Sequence, residues 1–174
     1  KGEVTVGINS SIDTGGVFRG DYGADPQNDL RVLARRWGLR VGMVSRANDN
    51  LIEIKDLKGK KVVTDFSALK AVGLVNQTMI QAGGLSLDEV DGVTVSGLGP
   101  GMDALTEGTL DASSIAVGIP LTQQAHASIP GGIRYVSITG ENATDEFVDK
   151  LYPGTYIVTI EPTPRLPEVT EPVN

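Results

Sequence analysis

Residues 62–84 read VVTDFSALKAVGLVNQTMIQAGG. The β-branched run Val62-Val63-Thr64 predicts a strand. Leu69, Val72, Val75, Met79 and Ile80 then fall at helical spacing and predict a helix over 67–82, stopped by Gly83-Gly84. The alternation continues downstream. Ser86 followed by Glu89 has the capping-box pattern of a short turn. Strands are predicted over 93–95, 111–117, 133–138 and 155–160, with helices over 101–107, 120–128 and 144–151 between them. Gly108 ends the first of these helices and Pro120 opens the second. Strands alternating with helices at this pitch indicate an α/β fold with a parallel-rich sheet.

Upstream, residues 3–8 alternate polar and apolar as a short strand does, and Asn9-Ser10-Ser11-Ile12-Asp13 offers helix-capping side chains. Four Gly and one Pro between 15 and 28 predict a loop, and 30–34 and 39–44 read as strands. Residues 56–60 form a helical turn ended by Gly59. Pro162, Pro164, Pro167 and Pro172 predict an extended tail. Three regions follow: 1–38 as part of a first lobe, 39–160 as a largely complete second α/β lobe, and 161–174 as a crossover returning toward the first. The opening at Lys1 suggests a processed or excised chain.

The composition narrows the function. The 174 residues carry 15 Lys+Arg and 22 Asp+Glu, a net charge of −7 with pI near 4.7, which disfavours a nucleic-acid binder. No apolar run reaches the roughly 18 residues of a membrane span. Without Cys there is no thiol catalysis, cysteine-ligated zinc or disulfide framework. Charge is uneven, +3 over 1–61 and −10 over 62–174. Arg35, Arg36, Arg40 and Arg46 form either a solvated face or an anion-steering patch.

Gly97-Leu98-Gly99-Pro100-Gly101 sits where a dinucleotide fingerprint would, but Met102 occupies the place of its third glycine and Pro100 removes a donor. No phosphate loop occurs, and no nucleotide site is expected. The openings of the predicted helices matter more. In a parallel sheet, ligands sit beyond the carboxyl ends of the strands, where helix N-termini offer free N–H groups and positive dipole ends. Thr64, Phe66 and Ser67 occupy that place after one strand, Gly99 in the 96–101 turn after another, and Gly118-Ile119 after a third. Asn9 and Ser10 do the same in the first lobe. Such polar, Gly-rich strand ends suit a small anion, most simply a carboxylate. The lone His126 reads as structural, and Asp88/Glu89 and Asp145/Glu146 fall at helix starts, where they favour the dipole. No nucleophile–base–orienter set is visible, so no catalysis is expected, and no cofactor or metal.

Asp56-Leu57-Lys58-Gly59-Lys60-Lys61-Val62 resembles the segment that enters a strand in the second lobe of bacterial solute-binding proteins. Its neighbours sharpen the likeness. Leu30-Arg31-Val32-Leu33-Ala34, Leu39-Arg40-Val41-Gly42-Met43, Asp65-Phe66-Ser67-Ala68-Leu69-Lys70, Gly84-Leu85-Ser86-Leu87-Asp88-Glu89-Val90, Ala104 to Ala112 and Leu151-Tyr152-Pro153-Gly154-Thr155-Tyr156 follow the order of the TAXI group of TRAP transporter receptors. The resemblance implies a type II periplasmic-binding-protein-like fold and a monomeric extracytoplasmic receptor. Such a receptor closes on a small organic anion, a carboxylate or an amino acid such as glutamate, and delivers it to TRAP membrane subunits. It adds Tyr156 to the ligand set and carries over Thr64 to Ser67 most strongly. The alternative is a ligand-sensing regulatory domain of the same fold.

Overall fold

The computed structural model describes residues 5–21, 23, 25–34 and 37–174. The chain divides into two compact units, 1–38 and 39–174. The expected strand over 3–8 falls partly outside the described residues, and 5–8 form no ladder. The loop expected over 15–28 is in part a helix, α1 (Ser11–Arg19), running through Gly15 and Gly16. Its ends explain this. The Ser10 hydroxyl accepts from Asp13 N at 2.9 Å, Asp13 and Arg19 suit the dipole, and Gly20 closes the helix in the left-handed region. Residues 30–34 form no strand, and Val32 and Leu33 are exposed.

The second unit is α/β, the class the sequence indicates. Its five strands are β1 (Val41–Arg46), β2 (Lys61–Phe66), β3 (Asp91–Val95), β4 (Ala112–Ala116) and β5 (Ile133–Tyr135), in the order β3-β2-β4-β1-β5. The sheet is mixed: β2 runs parallel to β3 and β4, whereas β1 is antiparallel to both β4 and β5. Four further helices complete the unit: α2 (Lys70–Ala82), α3 (Leu98–Thr106), α4 (Pro120–Ser128) and α5 (Asp145–Leu151). Val44 and Met43, adjacent in β1, point to opposite faces and belong to different core clusters. Met43 packs with Leu57, Val62 and Ile80 on the α2 and α5 side. Val44 packs with Met102, Leu105, Ile115 and Ile129 on the α3 and α4 side.

Two boundaries shift for local reasons. α2 begins three residues later than expected because Ser67 N still donates to Val95 O at 2.9 Å, extending the β2–β3 pairing. α3 begins three residues earlier. Gly101 N reaches Gly97 O at 3.1 Å, and Pro100 falls in the first turn, where a missing N–H costs no helical bond.

Residues 155–160 form no strand ladder; only Ile160 pairs, antiparallel to Val173. The tail, 161–174, packs on the second unit. Leu166 N donates to Thr163 O and Val169 N to Leu166 O, while Val169 and Val173 are buried with Val44 and Ile115. Burial of these valines, spaced between prolines that cannot serve a ladder, accounts for the turn.

Arg46 ties the two halves of the sheet together. Its guanidinium donates to Leu105 O (2.8 Å) and Leu110 O (2.7 Å) and pairs with Asp49 at 2.6 Å. It also lies 3.7 Å from Asp111, which accepts from Lys61 N. Arg46 is therefore a structural pin rather than part of a steering patch, and Arg35 and Arg36 lie outside the described residues.

Candidate functional site

The parallel strands β2, β3 and β4 share one carboxyl edge, and each leads into a helix. At the residues preceding α2, α3 and α4 (Leu69, Gly97 and Ile119) no side chain caps the helix. By contrast Ser10 caps α1, and Thr144 caps α5 by accepting from Phe147 N at 3.2 Å. Val72 N donates to Leu69 O, Thr122 N donates to Ile119 O, and Pro100 and Pro120 carry no N–H. The N–H groups of Lys70 and Ala71 in α2, Leu98 and Gly99 in α3 and Leu121 in α4 have no intrahelical acceptor. With aligned helix dipoles they make this edge attractive to negative charge.

The expected site residues distribute unevenly about this edge. Ser67 is exposed at the end of β2, its backbone N–H bound to Val95 O and its side chain uncommitted among the described bonds. Gly118 and Ile119 form the β4–α4 turn. Gly118 has φ +73°, and Ile119 O accepts from Thr122 N and Gln123 N. Gly99 lies within the first turn of α3 rather than before it. Two residues later, Gly101 has a packing role: a Cβ there would stand 2.6 Å from the buried Ser113 Oγ, so α3 seats closely on β4.

Two positions do not present their side chains at the edge. Phe66 is fully buried in a cluster with Val63 and Leu110, because its ring fills the space beneath α3. Thr64 is the extra residue of a bulge between Val63 and Asp65, and its hydroxyl lies over Gly92 in the first half of β3. The bulge turns backbone carbonyls toward α2: Asn76 Nδ2 donates to Val63 O at 2.8 Å and Gln77 Nε2 to Thr64 O at 3.3 Å.

Tyr156 is half exposed on the irregular stretch after α5, next to Ile157, whose N–H donates to Asp145 Oδ1. Asn9 and Ser10 belong to the other unit. Ser10 caps α1 there, and the Asn9 side chain accepts from Ser10 N.

Asp65 would repel an anion, but its charge is engaged. Oδ2 meets Lys70 Nζ at 2.8 Å and Oδ1 accepts from Phe66 N. The sequence offers a signal for this pair in Asp65 and Lys70 flanking a helix start, five residues apart. His126 is structural, its Nδ1 accepting from Ile133 N at 3.3 Å beside Gly132. Among the described residues no cluster of His, Asp and Glu is arranged to hold a metal, and no helix is long and apolar enough to cross a membrane.

A second polar feature had no sequence signal. Glu168, in the proline-rich tail, is 2% exposed, and neither carboxylate oxygen has a hydrogen-bond partner. Tyr135 from β5 is also buried. Thr122 approaches its hydroxyl but donates to Ala116 O at 2.7 Å, and no bond of ordinary geometry reaches Tyr135. Burial, with the negative charge of Glu168 added, pushes the Tyr135 hydroxyl pKa well above its usual value.

Solved structures to which the chain is similar include the periplasmic aliphatic sulphonate binding protein SsuA from Escherichia coli. It is 20% identical over 56% of this chain and 31% of that one, with TM-score 0.43. The alkanesulfonate-binding protein SsuA from Xanthomonas axonopodis pv. citri, bound to MOPS, is 17% identical over 57% and 34%, with TM-score 0.44. The amino acid ABC transporter substrate-binding protein AbpA from Streptococcus pneumoniae, bound to L-arginine, is 16% identical over 68% and 52%, with TM-score 0.42. The chain thus matches about a third to a half of the length of these proteins. Its own sequence matches the NMT1-like family model over residues 4–172, and the chain belongs to the NMT1-like family.

Proposed function

We propose that this chain is part of a non-enzymatic, extracytoplasmic solute-binding protein, with residues 39–174 forming one of its two lobes. It captures a small organic anion, a carboxylate or an amino acid such as glutamate, for TRAP-type transport. The observation that carries this reading is the edge where β2, β3 and β4 each end at a helix that no side chain caps. Backbone N–H groups and helix dipoles there suit an oxyanion without a formal cation, since Lys70 is held by Asp65. On this reading Ser67, Gly118 and Ile119 contact the ligand directly. Phe66 and Thr64 shape the edge from beneath. Membership of the NMT1-like family and the ordered TAXI-like motifs support the transport assignment.

The test is calorimetric titration of the full-length protein with dicarboxylates, glutamate, an alkanesulfonate and arginine. Binding of a carboxylate, weakened about tenfold by Ser67→Ala at unchanged stability, is the expected result. Binding of the sulfonate or arginine alone would overturn the carboxylate assignment, and binding of none of them the receptor reading itself. Co-reconstitution with TRAP membrane subunits in vesicles tests the transport partner, and failure of ligand-dependent uptake counts against it.

A further inference from the structure

Glu168 sits in a segment that a stable fold has little reason to hold in one place. A carboxylate removed from water without a partner is among the costliest arrangements in a protein interior. Here both oxygens lack partners, and the nearby Tyr135 hydroxyl is unpartnered as well. The polar attachments of the tail gather at its C-terminal end. Ile160 and Val173 exchange two backbone bonds at 2.8 and 3.1 Å, Ile138 N donates to Asn174 O at 3.0 Å, Asn174 N reaches Ser137 Oγ at 3.3 Å, Thr159 Oγ1 donates to Asn174 Oδ1 at 2.7 Å, and Glu171 lies 3.8 Å from Arg134. Burial of Val169 and Val173 holds the tail down, while the two unpartnered oxygens of the buried Glu168 oppose it.

The tail also reaches the β4–α4 corner of the candidate edge. Leu166 Cδ2 lies 2.9 Å from where a Cβ on Gly118 would stand, so the tail rests against the turn that carries Gly118 and Ile119. Gly118 is thus constrained twice, by its φ of +73° and by Leu166.

We propose that residues 161–174 are a detachable strap: held by Leu166, Val169 and Val173 and strained by the buried Glu168, the strap undocks as a unit and uncovers the Gly118–Ile119 corner. In the undocked state Glu168 regains water and the turn loses its cover, while the sheet remains intact because none of its ladders uses the tail. The strap is independent of which ligand the edge takes, and its test reads the tail itself rather than affinity.

That test is amide hydrogen exchange on the full-length protein, comparing wild type with Glu168→Leu and Glu168→Gln. In the wild type, the Ile160, Val169 and Val173 amides are expected to exchange at least about a hundredfold faster than the β4 amides, as for a local opening. Glu168→Leu removes the unpartnered carboxyl and should slow those three amides by about tenfold or more, with β4 unchanged. Glu168→Gln, which loses the charge but keeps the polar group, should fall between. Wild-type tail amides as slow as β4 would overturn the strap, as would faster tail exchange in both variants. Should Glu168→Leu fail to fold, the Gln variant decides alone: slower tail exchange supports the strap, and unchanged or faster exchange overturns it.

Discussion

The parallel half of the sheet, β3-β2-β4, and the antiparallel half, β1 and β5, differ in what stands beyond their strands. On the parallel side each strand enters a helix whose opening no side chain caps. On the antiparallel side chain ends and turns are tied by side chains: Arg46 holds the carbonyls of Leu105 and Leu110, and Asn48 Nδ2 donates to Pro130 O at 3.1 Å. α5, which follows no parallel strand, has its Thr144 cap. The contrast separates positions that build the unit from positions left with unspent hydrogen-bonding capacity, and the latter gather on one edge. Stability therefore resides in the sheet and its pins, and the proposed binding in the uncapped openings.

The largest expected effect tests whether the parallel half depends on its core as the antiparallel half depends on Arg46. Phe66→Ala should destabilise the unit by about 3–5 kcal/mol, read as a lower urea midpoint. The fully buried ring fills the space between β2 and α3, and nothing smaller replaces it. A loss below about 1 kcal/mol would mean that the space collapses freely.

Arg46→Ala should cost about 2–3 kcal/mol, because Asp49 and the two carbonyls lose a charged donor. Arg46→Lys should recover only part of this, since an ammonium cannot serve both carbonyls and Asp49 with the planar fork of a guanidinium. Full recovery by Lys would show that charge alone, and not the geometry of the pin, joins the two halves.

Helix openings sharpen the comparison on a smaller scale. Removing a cap, Thr144→Ala, should cost about 1 kcal/mol in thermal or urea unfolding. Adding one, Gly97→Ser, should stabilise by roughly a few tenths of a kcal/mol, since the extended backbone at Gly97 accepts a side chain and no atom lies within 4 Å of its Cβ position. The added hydroxyl would also occupy a free N–H of α3. A gain in stability with a loss of anion affinity is the expected pair, and unchanged affinity would remove α3 from the site.

The smallest effect lies at the acid limb of stability. Glu89 accepts from Lys58 Nζ and Ser86 N, and these bonds lower its pKa to about 2. A carboxyl depressed on folding stabilises above its unfolded pKa, near 4.5, and loses that contribution as pH falls toward 2. Glu89→Gln should flatten the pH dependence of the urea midpoint between about pH 4.5 and 2. An unchanged slope would show that other carboxyls govern this limb.

Much of the second unit was legible because its signals are local and periodic. The helical spacing of Leu69 to Ile80, Pro120 at a helix start and the acidic pair Asp145/Glu146 at another each act within a few residues, and α2, α4 and α5 lie where those signals put them, give or take a turn. The misses have one origin. α1 passed through two glycines because its caps at Ser10 and Gly20 outweigh their cost over nine residues. Residues 30–34 have strand-like composition but no partner among the described strands, and a strand without a ladder is not stable alone. At the candidate edge, the hydroxyl of Ser67 and the turn at Gly118 were readable, whereas the burial of Phe66 and the bulge at Thr64 depend on what α3 and β3 place against them.

By itself, then, the sequence determined the α/β alternation, the positions of most helices in the second unit, and an acidic chain without cysteine chemistry. Only the tertiary structure decided that β1 runs antiparallel between β4 and β5, that Arg46 pins two halves together, and that the proline-rich tail folds back and buries Glu168. The reason is range. Periodicity and capping are set by neighbours along the chain, whereas strand direction, desolvation and the pairing of a charge depend on residues brought together from 50 or more positions away, as Lys61 is to Asp111.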